Sequence, residues 1–294
     1  MNDFHVVTVA NEPKYYFPYL VESCKKHGKE LEILGYGEKW KGFSWKFKLM
    51  IEYLKKLPKT DIVCFVDGYD VLCVRDLNEM KKIFLEITNK TGCEIIIGIN
   101  KGETKKYIAE FLGNVFFGSY NGYSINSGMY IGYVNDLLKI INGCYQINNK
   151  DDADDQVLMI QYFNKSNTNI YVDSNSDIFL TLFEPLTEIE KYVEISKDTN
   201  ILTYKSSKPF FLHANGYGYL DELIKKLGYP IEPNKIKNQL FYNFFEKKIC
   251  TYAFMILKDN IVLIIFFIIL CFLIFYISKN YKIIIKKLNK IKII

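Results

Sequence analysis

Two carboxylates stand at the end of a strongly apolar segment, with a spacing that suits metal chemistry. Residues 63–66 read Val-Cys-Phe-Val, and Asp67 and Asp70 follow with glycine and tyrosine between them. The pattern predicts a buried strand with acidic residues at its carboxyl end. Oxygen ligands there suit a hard cation such as Mg2+ or Mn2+, which can in turn hold phosphate. The alternative interpretation is an Asp-Gly turn between two strands.

A second acidic cluster opens a predicted helix. Residues 151–155 contain four aspartates in five positions, and Gln156 follows them. Carboxylates at a helix N-terminus are stabilised by the helix dipole and often serve only as caps. Four aspartates exceed what capping needs, so we expect at least one of them to have another role.

Small polar residues and a histidine accompany two more predicted strands. Residues 126–128, Asn-Ser-Gly, stand directly before a strand and would let a sugar or phosphate approach the backbone closely, or form a turn. His213 ends the apolar segment that begins at Pro209. A histidine at a strand end is commonly structural. If it returns to the edge that carries Asp67, however, it completes a cation site.

The elements that position these groups follow an α/β order. Residues 4–10 predict a strand, residues 13–26 a helix and residues 30–34 a second strand. The turn after the first strand lacks G-x-G-x-x-G, which argues against a dinucleotide site. Residues 35–42 form a glycine-punctuated loop, interpreted either as a cover for a base or ribose or as an ordinary connection.

Composition excludes several classes of protein. The formal net charge of +5 is concentrated in six lysines of the last sixteen residues, so nucleic-acid binding gains little support. The seven cysteines are scattered and lack a C-x-x-C pair, so neither a zinc site nor a disulfide framework is indicated.

The C-terminal part has a different character from the rest. Residues 261–277 are uncharged and almost wholly apolar, and lysines follow them. This predicts a C-terminal transmembrane helix over residues 259–278 and hence a single-pass membrane anchor. The predicted organisation is a catalytic domain over 1–230, a linker over 231–258, the helix, and a basic tail over 279–294. The side of the membrane on which the catalytic domain lies stays open, lumenal or cytosolic.

Taken in order, the motifs resemble the glycosyltransferase domain of the multifunctional procollagen lysine hydroxylases, a GT-A-type nucleotide-sugar transferase. The resemblance extends from about Phe4 to Leu227. The D-x-x-D and H-x-N-G motifs of that family correspond to Asp67, Asp70, His213, Asn215 and Gly216. Its N-S-G and D-D-Q motifs correspond to Asn126, Ser127, Gly128, Asp154, Asp155 and Gln156. The opening Thr8-Val9-Ala10, the G-x-G-E-x-W-x-G loop with Trp40, and Lys46 also fit.

The resemblance implies a Rossmann-like GT-A fold with a mixed central sheet flanked by helices. It also implies that Asp67, Asp70 and His213 hold Mn2+ or Mg2+ against the diphosphate of a UDP-sugar. Asp154 and Asp155 are expected to bind sugar hydroxyls or to act as base on the acceptor hydroxyl. The implied donor-binding residues are Thr8, Val9, Trp40, Lys46, Tyr69, Asn126, Ser127, Gly128, Gln156, Asn215 and Gly216.

The expected function is therefore transfer of glucose or galactose from a UDP-sugar to a hydroxyl acceptor on hydroxylysine, another protein or a glycan. Two departures from the family stand out. The lysine that follows H-x-N-G in the lysine hydroxylases is absent, since Tyr217-Gly218-Tyr219 stand there. Residues 100–125 also lack the tryptophan-bearing loop of the family. These departures leave a second hypothesis, a catalytically silent, membrane-anchored protein that binds glycans or partners on a transferase scaffold.

Overall fold

The computed structural model describes residues 2–103, 117–196, 201–245, 265, 267–276 and 278–280. The chain divides into two compact units, Met1–Phe241 and Tyr242–Ile294. All the residues implied in the site belong to the first unit.

A nine-stranded mixed sheet forms the centre of the first unit. Its strands are β1 (Phe4–Val9), β2 (Leu31–Leu34), β3 (Ile62–Val66), β4 (Val71–Cys73), β5 (Ile95–Lys101), β6 (Ile125–Tyr133), β7 (Ile170–Asp173), β8 (Phe179–Leu182) and β11 (Phe211–His213). A small antiparallel sheet pairs β9 (Glu194–Ile195) with β10 (Leu202–Thr203).

The strand order is β2-β1-β3-β6-β5-β8-β11-β4, and β7 pairs with β5. Strands β1, β2 and β3 are mutually parallel, as are β5, β8 and β11, whereas β6 and β4 run antiparallel to their neighbours. Strand β4 ends the order although it follows β3 directly in the chain. The sheet therefore curls into a half-barrel, and polar groups from strands distant in the order meet at one edge.

Helices cover both faces of the sheet. They are α1 (Phe17–Lys26), α2 (Trp45–Leu54), α3 (Leu77–Thr91), α4 (Val134–Ile147), α5 (Asp155–Lys165), α6 (Asp221–Lys226) and α7 (Lys235–Asn243). Alternation along β1 and β3 separates two of the three apolar clusters of the described residues: Val7, Val63 and Phe65 pack with α2, α4 and α5. On the other face, Val6, Cys64 and Ile96 pack with α1 and α3. The mixed sheet flanked by helices fits a GT-A-like fold.

Local sequence explains the helix ends. Asp76 caps α3 by accepting a hydrogen bond from the backbone N–H of Asn78 at 2.9 Å, and Gly92 ends the helix with φ +66°. The helix predicted from residue 13 begins only at Phe17. Tyr15 has φ +48°, a left-handed conformation that a right-handed helix does not tolerate, so the chain turns before the helix starts.

The prediction of a C-terminal transmembrane helix and membrane anchor is wrong. Among the described residues, no helix is long and apolar enough to cross a membrane. The longest described helical segment within residues 259–278 is 267–276, about 15 Å of helix against a hydrocarbon core of about 30 Å. The other helical residues described there are 265 and 278, and the rest of the predicted span lies outside the described residues. Residues 246–258 of the predicted linker over 231–258 and residues 281–294 of the basic tail also lie outside them, whereas Lys235–Asn243 of the linker form α7.

Candidate active site

Asp67, Asp70 and His213 come together at the edge of the curled sheet. Asp67 follows β3, Asp70 precedes β4, and His213 ends β11. Because β11 pairs antiparallel with β4, His213 lies opposite Val71, and the backbone N–H of Ala214 donates to the carbonyl of Asp70 at 2.8 Å. One potential ligand atom from each of the three side chains lies within 4.8 Å of the others. The predicted metal-ligating residues are thus neighbours in space.

The chemistry of this cluster fits a divalent cation. The His213 side chain is only 2% exposed, and neither ring nitrogen has a hydrogen-bond partner among the described residues. Nε2 lies 3.1 Å from Asp70 Oδ1 without the alignment of a hydrogen bond. Burial alone lowers the pKa of His213, but Asp70 and Asp67 raise it above its usual value. Buried polar nitrogens are normally satisfied, and two carboxylates with one imidazole suit Mn2+ or Mg2+.

Gly128 forms the floor of the cluster. A Cβ atom built on it would lie 2.5 Å from Asp67 Oδ2 and 2.7 Å from His213 Cε1, which leaves no room for a side chain. The Gly128 carbonyl accepts a hydrogen bond from the backbone N–H of Asp67 at 2.7 Å, which ties β6 to the end of β3. Asn126 and Ser127, both buried, precede it within β6, so the N-S-G motif lies inside the strand and not before it. The motif therefore lies directly against the predicted metal-ligating residues.

Lys46 joins the cluster of Asp67, Asp70 and His213 to the second acidic group. The side chain is 6% exposed, and its Nζ lies 2.8 Å from Asp67 Oδ1 and 2.7 Å from Asp155 Oδ2. Burial opposes the charge on Lys46, but the two carboxylates raise its pKa above the usual value and keep it protonated. Although burial works against ionisation of Asp67, Lys46 and His213 lower its pKa. Burial raises the pKa of Asp155 to about 6 against the effect of Lys46.

The adjacent aspartates Asp154 and Asp155 do different things. Asp154 caps α5, since its Oδ1 accepts the backbone N–H of Val157 at 3.0 Å. Asp155 is 5% exposed and has both oxygens engaged, Oδ2 with Lys46 and Oδ1 with the backbone N–H of Gln156 at 3.1 Å. Asp154 is less buried than Asp155. Capping thus accounts for one aspartate, and a buried ion pair accounts for the other.

Asn100, at the end of β5, is a site residue that the sequence interpretation missed. Its Oδ1 accepts hydrogen bonds from Asn126 Nδ2 at 3.1 Å and from Asn215 Nδ2 at 2.8 Å. The Oδ1 of Asn126 in turn accepts the backbone N–H of Gly128 at 3.0 Å. Gln156 Oε1 lies 3.5 Å from Asn126 Nδ2. A network of amides therefore connects the N-S-G, D-D-Q and H-x-N-G segments, and a polar residue at a strand's carboxyl end was its signal in the sequence.

The end of β1 approaches the loop between the two aspartates of the cluster. A Cβ on Gly68 would lie 3.1 Å from both Thr8 Oγ1 and Val9 O, so the loop rests on the strand end. Thr8 Oγ1 is buried and has no hydrogen-bond partner among the described residues. The hydroxyl of Tyr69 accepts the backbone N–H of Asn11 at 3.0 Å and donates to its Oδ1 at 2.6 Å. Thr8, Val9 and Tyr69 therefore lie around the start of this loop.

Trp40 lies on the Lys46 side of the site. Its ring packs edge-on against Trp45 at a centroid distance of 5.6 Å and against Phe43 at 6.0 Å. Tyr69 instead packs against Tyr15 at 6.1 Å and Phe17 at 6.3 Å. The described ring contacts therefore do not join Trp40 and Tyr69, two of the implied donor-binding residues.

Gly216 completes the H-x-N-G segment with a positive φ of +75°. A Cβ there would lie 2.5 Å from the Phe183 ring, so glycine is required both by the backbone conformation and by the contact. Phe183 follows β8 and is 38% exposed.

A curled mixed sheet with these clusters at its edge fits a GT-A-like fold. The chain belongs to the family of the PLOD GT domain, whose model matches residues 1–241. This confirms the resemblance seen in the sequence motifs.

Curated relatives agree with that assignment. The chain is 29% identical over 231 residues to the "Multifunctional procollagen lysine hydroxylase and glycosyltransferase" of Caenorhabditis elegans, covering 72% of this chain and 30% of that protein. It is 26% identical over 227 residues to the human "Procollagen-lysine,2-oxoglutarate 5-dioxygenase 2", with coverage of 72% and 29%. The human "Multifunctional procollagen lysine hydroxylase and glycosyltransferase LH3" is 24% identical over 229 residues, with the same coverage. The chain thus spans under a third of the length of these relatives.

Proposed function

We propose that this chain transfers a hexose, glucose or galactose, from a UDP-sugar to a hydroxyl acceptor in a metal-dependent reaction. The observation that carries the proposal is the Asp67, Asp70 and His213 cluster, with its buried and unsatisfied imidazole nitrogens. The family supports glycosyl transfer, and the names of the relatives associate it with procollagen lysine modification. We therefore propose hydroxylysine in a collagen-like protein as the acceptor, with other protein or glycan hydroxyls as the wider class.

The charges of the site support binding of a divalent cation and a diphosphate. Asp67, Asp70 and Asp155 carry three carboxylates against the single ammonium of Lys46, which leaves two negative charges when His213 is neutral. Mn2+ or Mg2+ held by Asp67, Asp70 and His213 would supply Lewis-acid stabilisation of the leaving UDP. Gly128 keeps the space beside the ligands open, since any side chain there would collide with two of them.

Lys46 and the paired aspartates would orient the reacting groups. Lys46 fixes Asp67 and Asp155 with two short ion pairs, so the metal ligand and the α5 carboxylate keep a constant relation. Asp155 has both oxygens engaged, which favours an electrostatic role over direct proton transfer. Asp154 uses Oδ1 for the helix cap, and its less buried carboxylate is the better candidate to contact a sugar or acceptor hydroxyl.

The remaining predicted donor-binding residues surround this centre. Thr8 and Val9 at the end of β1, with Tyr69 in the loop after β3, would contact uridine and ribose. The Thr8 hydroxyl, which has no hydrogen-bond partner among the described residues, supports this placement of the nucleoside. The amide network would present donors and acceptors to the diphosphate and hexose. The predicted donor-binding residues that belong to this network or stand next to it in the sequence are Asn126, Ser127, Gly128, Gln156, Asn215 and Gly216. Trp40 would contribute to donor binding from the aromatic loop beside Lys46.

The test is UDP-sugar hydrolysis and UDP binding by the full chain across a panel of donors, with Mn2+ and with chelator. We expect Mn2+-dependent binding with one preferred hexose, and a loss of about 10- to 100-fold in affinity for Asp70→Ala, since a metal ligand is removed. The Asp70 side chain is 29% exposed, so the variant should keep its fold and melting temperature. Equal UDP affinity with Mn2+ and with chelator would contradict the proposal and favour the catalytically silent scaffold.

A further inference from the structure

Phe43 is an exposed aromatic residue beside the most polar part of the site. It follows Gly42 in the loop before α2, and 43% of its surface is accessible. Full burial of an aromatic side chain is stabilising, and this ring forgoes part of that stabilisation. Trp45 two residues later is 1% exposed and packs in the core. The loop thus buries one aromatic ring and keeps another at the surface.

Backbone contacts hold the Phe43 loop against the segment that leads into α5. The N–H of Ser44 donates to the carbonyl of Ala153 at 3.1 Å, and the N–H of Trp45 to that of Asp151 at 3.3 Å. Gly42 has φ +137°, and a Cβ on it would lie 2.2 Å from the Asp151 carbonyl oxygen. The position of Phe43 is therefore fixed relative to the start of α5, where the paired aspartates lie.

The ring of Phe43 lies over the lysine that joins the two acidic groups. Lys46 Nζ is 5.7 Å from the centroid of the Phe43 ring, and the same nitrogen contacts Asp67 and Asp155. Trp40 packs edge-on against Phe43 at 6.0 Å, which fixes the ring from behind. Phe43 therefore borders the space between the metal-ligating Asp67 and the α5 carboxylates.

We propose that Phe43 forms the apolar wall of the donor-hexose subsite, against which the C–H face of the sugar packs. This rests on the proposed function. The hexose of a UDP-sugar is bonded to the diphosphate, so it must lie close to the metal ligands. Phe43 also lies close to them, because Lys46 Nζ contacts Asp67 and is 5.7 Å from the Phe43 ring. Ligand pockets combine apolar and aromatic walls with a few placed polar groups, and here Lys46 and the aspartates supply the latter. The acceptor has no covalent link that would bring it to this position.

The test compares binding of UDP with binding of UDP-glucose and UDP-galactose by calorimetry with Mn2+. For Phe43→Ala in the full chain, we expect affinity for the preferred UDP-hexose to fall about three- to tenfold with UDP affinity unchanged, since one aromatic contact is lost. Phe43→Tyr keeps the ring and should restore UDP-hexose affinity. Phe241→Ala, which removes a ring 51% exposed on α7, is the matched control and should change neither affinity.

Three results would overturn the inference. Equal losses for UDP and UDP-hexose would mean that Phe43 acts through Lys46 on the whole site. Unchanged affinity for both ligands would remove Phe43 from the donor subsite, even if the KM for the acceptor rises. Absence of UDP binding by the wild-type chain with Mn2+ would remove the proposed function itself, and the Phe43 subsite with it. The first two results leave UDP binding by the wild-type chain intact and so separate the two failures.

Discussion

Two parts of the site share Asp67 but satisfy their charges to different degrees. Around Lys46, one buried ammonium meets two carboxylates at 2.8 and 2.7 Å, so this part is complete without a ligand. Around His213, a buried imidazole has Nε2 at 3.1 Å from Asp70 Oδ1, but no aligned hydrogen bond from either nitrogen among the described residues. Because an unmet buried polar group is costly, the second part is the one that gains from a ligand. We call the group around Lys46 the complete part and the group around His213 the open part. We infer that the complete part maintains the shape of the site and that the open part binds the ligand.

The largest effect is expected where the complete part is broken. Lys46→Met should lower the melting temperature by about 6–12 °C, because removal of one partner of a buried ion pair costs about 3 kcal/mol or more. Asp155, 8% exposed at its side chain, would lose its buried counter-charge. Thermal unfolding followed by circular dichroism measures the effect. The double variant Lys46→Met with Asp155→Leu should recover much of the loss. A shift under about 2 °C for the single variant would show that the ion pair is not structural.

A smaller effect is expected when a methyl group is added at Gly128, on the floor of the open part. Gly128→Ala should weaken Mn2+-dependent UDP binding about tenfold or more, because the new methyl group displaces Asp67 and His213. Gly132→Ala in the same strand is the matched control. Its methyl group would meet the Glu94 carbonyl oxygen at 2.8 Å, so it strains the sheet away from the cluster. Calorimetric titration of both variants with UDP separates the two. Equal UDP affinities for both variants would contradict a role of Gly128 in the cluster.

The smallest effect is expected at the amide network that surrounds both parts. Asn100→Ala removes the oxygen that accepts from Asn126 and Asn215, and we expect UDP-hexose affinity to fall about three- to tenfold. Mn2+ affinity in the absence of nucleotide should stay unchanged, since Asn100 lies outside the ligand set. Asn100→Asp keeps an accepting oxygen and should rescue much of the loss. If Asp is as damaging as Ala, Asn100 does not act by accepting these hydrogen bonds.

The sequence predicted the open part of the site better than the complete part. Asp67 and His213 end apolar segments and Asp70 follows Asp67 by three residues, so the strand pattern allowed the three side chains to meet, and the family resemblance named them as one set. The partners of Lys46 were not predictable, because a position in the first turn of a helix does not tell which strand end its side chain faces. Its side chain also reaches over Phe65.

Other features depended on backbone conformation and strand register, which amino-acid composition does not predict. The start of α1 depends on the left-handed Tyr15, a conformation unusual for a residue with a side chain. Asn100 stands beside Lys101 at the end of β5, and only the strand register decides which of the two faces the amides of Asn126 and Asn215. The hydropathy of residues 261–277 suggested a membrane span, but a suitable helix is absent from the described residues.

The most direct test of the comparison is Mn2+ binding by the full chain, followed by electron paramagnetic resonance with and without UDP, for the wild type and for His213→Gln. We expect one bound Mn2+ per wild-type chain, with higher affinity in the presence of UDP, and loss of that binding in His213→Gln. Retention of full Mn2+ affinity in His213→Gln would contradict the assignment of the unsatisfied imidazole to a metal site.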